Sequence, residues 1–310
     1  MSREPTSAVR RVCPLCDADD AAPLWIKGAL RLVRCRRCAM VYADPVSQEL
    51  AAGSFYQGQT HSLSPDKLAS DYAPVRFERE LRIFRRHCRG GDVLDVGCST
   101  GAFLFQLKVR WPNVYSVLGT DLASAALDHA ESRGVPVLRR PFLDFDIGER
   151  AFDAVTFWAV VEHLFKPKEF LCQAGALLKP GGCCFMLVPN LKSLAVRLLG
   201  AKYRYVMPDH LNYFTAETFK AFASAQRDLR IIEGGSTHFN PLVILQDYRG
   251  GADRVPDAER ARLLQRTTAW KQTGWLAPVK ALYAGVERAL GSVNLADNLF
   301  LVLRKCPAGA

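Results

Sequence analysis

The stretch Val93-Leu94-Asp95-Val96-Gly97-Cys98-Ser99-Thr100-Gly101 constrains this chain more than any other. A short apolar run reads as a strand, a glycine-bounded turn follows, and residues 102–109 carry a helical pattern. Glycine lets backbone approach a ligand without a Cβ in the way, and a helix start leaves N–H groups free. The alternation then repeats. Strand patterns at 117–119, 135–138, 154–157 and 183–188 alternate with helical patterns at 123–133 and 168–178, and Lys179-Pro180-Gly181-Gly182 reads as a turn. Repeated βα units at this spacing predict a parallel, doubly wound sheet, with its ligand crevice at the carboxyl ends of the strands.

Two ligands compete for such a loop. A dinucleotide fingerprint needs G-x-G-x-x-G, whereas Gly97 and Gly101 stand at G-x-x-x-G with Ser99 between them. Asp95 would also repel a pyrophosphate. A cationic ligand suits it better, and S-adenosylmethionine carries both an ammonium and a sulfonium. Asp121, at the end of the second strand, is placed to accept from both ribose hydroxyls. After the third strand, Asp144 can take an adenine amino group and Phe145 can cover the ring.

Four pieces, VLDVGCSTGAFL (93–104), GTDLA (119–123), FDAVTFWAVVEHL (152–164) and LLKPGGCCFMLVPN (177–190), occur in order and at suitable spacing. In these the chain resembles the class I S-adenosylmethionine-dependent methyltransferases. The resemblance implies a Rossmann-like α/β fold whose seven-stranded sheet ends in an antiparallel strand, here 299–303. It also implies that Asp95, Gly97 and Gly101 line the methionine end, with Ser99 between them. Asp121 and Leu122 would then hold the ribose, Asp144 and Phe145 the adenine, and Trp158 would join the cofactor wall.

Cys13-Pro-Leu-Cys16 and Cys35-Arg-Arg-Cys38 form C-x₂-C-x₁₈-C-x₂-C, the spacing of a tetrahedral Cys₄ zinc site. Four protein ligands close the coordination sphere, so the metal is expected to be structural. A redox C-x-x-C would need one pair, not two. The other six cysteines sit mostly among apolar neighbours and read as small buried residues. With Met40-Val41-Tyr42-Ala43-Asp44-Pro45 after it, the knuckle resembles the start of bacterial methyltransferases from glycan and natural-product gene clusters.

Methyl transfer needs alignment and, for a hydroxyl or activated carbon, a base. His163, in Glu162-His163-Leu164, follows the fourth strand, and His210, in Met207-Pro208-Asp209-His210-Leu211-Asn212-Tyr213-Phe214, follows the fifth. Histidine has the resting pKa for base chemistry near neutrality. The second segment resembles a P-x-H-L-x-x-F substrate wall of the same bacterial enzymes. Either histidine could instead only order its loop, and Trp158 and Tyr213 could stack on a sugar or aromatic ring or equally be core. Some quinone O-methyltransferases bind a metal through E-x-x-E-H at the first position; Ala159 replaces the first Glu, and no metal is expected there.

The chain has 310 residues, 49% hydrophobic and 23% charged, which fits one or two globular domains. Residues 1–12 read as a tail, 1–45 as tail and zinc knuckle, 46–90 as linker and helical cap, and 91–310 as the methyltransferase domain. A helical insertion at about 250–292 includes Trp270 and Trp275. No apolar run reaches the ~18 residues of a membrane span, and the polar start does not read as a signal peptide, so a cytoplasmic protein is expected. The net charge of +10 favours anionic partners. The sequence thus points to O- or C-methylation of a small molecule, nucleotide-sugar, glycan or natural-product intermediate. A zinc-knuckle RNA methyltransferase is one alternative, and a non-enzymatic zinc scaffold on a degenerate fold is another.

Overall fold

The computed structural model describes residues 8–146, 151–250, 257–272 and 277–307. The N-terminal part holds five strands: β1 (Ala8–Val9), β2 (Ala21–Lys27), β3 (Leu30–Cys35), β4 (Val41–Ala43) and β5 (Val46–Ser47). Then come β6 (Gly91–Val96), β7 (Tyr115–Thr120), β8 (Val137–Leu138), β9 (Phe152–Trp158), β10 (Leu178–Pro189), β11 (Asn212–Tyr213), β12 (Leu229–Thr237) and β13 (Asn298–Lys305). The large sheet has seven strands in the order β12-β13-β10-β9-β6-β7-β8. Strands β6 to β10 pair in parallel, and β13 lies antiparallel between β10 and β12. This is the doubly wound sheet with an antiparallel final strand that the sequence implied.

Side chains of successive strand residues point to opposite faces, and the core follows that period. Leu94, Val96, Val155, Phe157, Cys184 and Met186 pack on one face, while Val93, Ala154, Cys183 and Phe185 pack on the other. On that second face sits the helix Glu78–His87, with Leu81, Ile83 and Phe84 buried. The Lys179–Gly182 stretch, read as a turn, is instead an irregular part of β10, where pairing with β9 shifts between Leu178 and Cys183. Thr215 caps the helix Ala216–Ser224, and Thr218 completes a reciprocal capping box where glutamate is the usual partner.

The N-terminal strands do not stand apart. Cys13, Cys35, Met40 and Tyr42 belong to the same buried cluster as Leu94 and Phe157. The small sheet runs β11-β4-β3-β2, so its outer strand, Asn212–Tyr213, comes from the far end of the chain. Residues 8–12 differ from the tail expected of them: Ala8 and Val9 pair with Ser47 and Val46, and Arg11 is only 5% exposed. Among the other six cysteines, Cys88, Cys98, Cys183 and Cys184 are buried as expected, but Cys172 is exposed and Cys306 half-buried. Two helices, Asp257–Gln272 and Ala277–Ser292, account for the expected helical segment. Leu282 and Val286 point outward there, and Trp275 lies outside the described residues. No helix among the described residues is long and apolar enough to cross a membrane.

Phe84 is fully buried, with its ring 4.9 Å from that of Phe185 and 5.7 Å from that of Phe103. Phe84→Ala is expected to destabilise the fold by about 3–5 kcal/mol, the usual cost of an aromatic-sized core deletion. Denaturant unfolding would register this as a lowered midpoint at unchanged slope.

Candidate active site

The carboxyl ends of β6 and β7 hold the glycine loop. The N–H groups of Gly97 and Cys98 both donate to the carbonyl of Thr120, at 2.8 and 3.0 Å. Gly97 and Gly101 have φ of +70° and +74°, and Ser99 between them also lies at positive φ. A Cβ on Gly97 would come within 2.6 Å of Val160, so this loop can pass beside the end of β9 only as glycine. Asp95 is 3% exposed and accepts from the Thr156 hydroxyl at 2.6 Å. Burial pushes its pKa up to about 7 against that hydrogen bond, and Asp121 adds to the rise.

Asp121 takes the Ser99 N–H on one oxygen at 2.8 Å and the Ala123 N–H on the other at 2.9 Å. It ties the loop to the next helix. An ionised carboxylate has about four acceptor positions, so capacity for two hydroxyls is left. Leu122 beside it is exposed. Asp144 is exposed, but Phe145 is 7% exposed, packed on Phe142, with the Arg140 guanidinium 5.0 Å over its ring. Phe145 thus sits in the core, where the sequence set it against an adenine. Trp158 ends β9, its ring packs on Phe103, and its buried Nε1 has no hydrogen-bond partner.

His163 and His210 meet edge to face with ring centroids 4.6 Å apart. The Nδ1 of His163 lies 2.8 Å from the carbonyl of Asp209 and 3.1 Å from the Tyr56 hydroxyl. A carbonyl can only accept, so this contact places a proton on Nδ1. Glu162 is 1% exposed, and neither carboxylate oxygen has a hydrogen-bond partner. Burial pushes its pKa up to about 8, and Asp209 reinforces the rise. One donor atom each from Glu162, His163 and His210 lie within 4.8 Å of one another, a set that could share a proton or hold a cation.

A family described as a methyltransferase domain matches residues 72–233. The ubiquinone biosynthesis O-methyltransferase of Caulobacter vibrioides is 30% identical over 228 residues, 68% of this chain and 86% of that one. The enzyme of the same name from Chromobacterium violaceum is 33% identical over 147 residues, 43% and 62% of the two chains. A solved phosphoethanolamine N-methyltransferase 2 from Haemonchus contortus shares the fold at TM-score 0.51 and 15% identity, covering 86% of this chain and 63% of its own. This chain belongs to the methyltransferase-domain family. It is an S-adenosylmethionine-dependent methyltransferase.

The four N-terminal cysteines of this methyltransferase lie together. Cys13 and Cys38 sulfurs are 3.4 Å apart, and those of Cys16 and Cys35 3.6 Å. Ligands about 2.3 Å from a tetrahedral zinc stand about 3.8 Å from each other, so the sulfurs are close to the required spacing. The two turns are built alike. Asp17 N donates to Cys13 O and Ala39 N to Cys35 O, while Cys13 N donates to Ala18 O and Cys35 N to Met40 O. Asp17 and Ala39 occupy matching positive-φ positions. The donor set and its geometry fit zinc.

The sequence reading missed Tyr56 and Asp209 as partners of His163, and Arg11 altogether. Nothing local marks these residues, because their partners lie up to 200 positions away. The cysteine geometry predicts about one zinc per chain by metal analysis. Cys13→Ser should release it and lower the melting temperature, while a Cys172→Ser control should change neither.

Proposed function

We propose that this methyltransferase moves a methyl group from S-adenosylmethionine to a hydroxyl oxygen of a small molecule, with His163 or His210 as the base. When bound, the cofactor supplies a methyl on a positively charged sulfur, which an oxygen nucleophile can displace. The new bond is O–CH₃, the broken one is S–CH₃, and the hydroxyl proton passes to imidazole. The observation that carries this reading is the histidine pair, whose rings meet edge to face beside Tyr56 and the Asp209 carbonyl. The two ubiquinone biosynthesis O-methyltransferases above support an oxygen acceptor. Asp95, Gly97, Ser99 and Gly101 would border the methionine end of the cofactor. Asp121 and Leu122 would take its ribose, Asp144 the adenine edge, and Trp158 would close the wall. The four cysteines would hold a structural zinc.

Transfer of labelled methyl to a panel of phenols, catechols, nucleotide-sugars and RNA tests the acceptor. Label on small-molecule hydroxyls is expected, and His210→Ala and His163→Ala should lower the rate, one of them by about 10²–10⁴-fold. Label on RNA alone, with binding that weakens steeply in salt, would replace this reading with an RNA methyltransferase.

Asp95 makes a second expectation. Its carboxyl titrates at about 7 in the free protein, and only its ionised form attracts the cofactor's ammonium. Cofactor affinity should therefore level off above pH 7 and decline as pH falls below it, and Asp95→Asn should flatten that dependence. Calorimetry across pH 5.5–8.5, roughly the window in which such a group titrates, reads both.

A further inference from the structure

Arg11 lies in the segment before the first cysteine, far in sequence from either histidine, yet its guanidinium reaches both of their segments. Nη1 donates to the carbonyls of Ala43 and Leu211, at 3.2 and 2.8 Å. Nη2 donates to the carbonyl of Phe165 and to Oδ1 of Asn212, at 3.3 and 3.0 Å. Leu211 and Asn212 directly follow His210, and Phe165 lies two residues after His163. The Asn212 amide continues the chain of contacts by donating to the carbonyls of Val161 and Leu164, on either side of His163, at 3.0 and 2.7 Å. Leu211 N donates to Glu162 O at 2.7 Å.

The other end of the clamp is the cysteine-bearing sheet. Arg11 N donates to Oδ1 of Asp44 at 2.8 Å, and Ala43 N donates to Leu211 O at 3.0 Å. The Tyr42 and Phe165 rings lie 5.7 and 5.2 Å from the guanidinium. The planar fork suits this task because it aims several donors at once in fixed directions, which the point-like ammonium of lysine cannot do.

We propose that Arg11 is a positioning residue for the acceptor side of the active site. It locks the His163 turn and the His210 segment to each other and to the N-terminal sheet, so that the two imidazoles meet only when the cysteine-bearing segment is docked. The N-terminal sheet is then part of the catalytic unit and not a separate docking module. The proposal rests on the roles given above to His163 and His210, and misplacement of such groups by about 1 Å can cost about 10²-fold in rate.

The direct readout is the tautomer of His163. The native contact with Asp209 O holds the proton on Nδ1, and loss of register would return it toward the Nε2–H form that free imidazole side chains prefer. The full-length, zinc-loaded protein labelled with ¹⁵N-histidine would be compared with Arg11→Ala and Arg11→Lys by ring nitrogen NMR, with His163→Gln and His210→Gln giving the assignments. The expected result is a changed His163 tautomer and shifted His210 signals in both variants. His87, His129 and His238 signals and zinc content should be unchanged, and affinity for S-adenosylmethionine should stay within about threefold. Millimolar guanidinium should restore the native ring signals in Arg11→Ala but not in Arg11→Lys. Unchanged His163 and His210 signals in the folded variants would overturn the proposal. So would a general change at every histidine with loss of zinc, or failure of both variants to fold, since Arg11 would then only hold the fold together. If His163→Gln and His210→Gln retain full methyl transfer, the histidine assignment fails while the nitrogen spectra still decide the role of Arg11.

Discussion

The carbonyl of Thr120, accepting from both Gly97 and Cys98, fixes the loop on which the rest of the molecule depends. Two donors on one acceptor draw the backbone tightly across the ends of β6 and β7. The tight crossing goes with positive φ at Gly97, Ser99 and Gly101, and the helix that follows starts directly after it, at Ala102. Asp121 then fastens the loop from the side through Ser99 N. The loop can sit so close to Val160 only without a side chain, and Val160 lies in the turn that leads to Glu162 and His163. The glycine loop and the histidine-bearing turn therefore touch where Gly97 lacks a side chain.

Two buried acids flank this junction, Asp95 on the loop side and Glu162 on the histidine side. Burial raises both. An isolated buried carboxyl without a partner costs about 1–3 kcal/mol, and the surrounding apolar layers are what keep these groups in place at that cost. Asp95 has Thr156 to moderate it, whereas Glu162 has only its own backbone N–H to oppose the rise. Such uncompensated polarity is expected where chemistry, not stability, sets the residue.

Legibility in the sequence followed the range of the interaction. The strand–turn–helix unit around Gly97, the paired cysteines and the period of the parallel strands are all local patterns, and each reappears in the structure, mostly with its ends moved by a residue or two, although β10 begins five residues before the expected strand. The Thr215 cap is equally local, with Thr218 at the position where a capping box usually carries glutamate. Phe145 was ambiguous in the sequence because an aromatic after an acid at a strand end reads the same whether it faces a ligand or the core; in the structure it packs on Phe142. Arg11 was invisible for the opposite reason. An arginine next to Arg10 in a polar N-terminus reads as solvated charge, and only the return of residues 211–212 to the N-terminal sheet explains its burial.

That return also changes how the charge of the chain is read. A net +10 suggested an anionic partner, yet several of the chain's cations are engaged within the fold. Arg11 is buried among carbonyls, Arg204 is paired with the buried Asp247, Arg79 with Glu287, and Arg36 with Asp20 on the surface. A buried guanidinium is kept for directional hydrogen bonding, and it can hold its place only if its acceptors are themselves held. The two cysteine turns, built alike on β3 and on the segment before β2, supply that rigidity on one side, and the antiparallel pairing of Asn212–Tyr213 with β4 supplies it on the other. The small sheet is therefore part of the same packed unit as the histidine pair and not an appendage to it, because the strand that closes it directly follows His210.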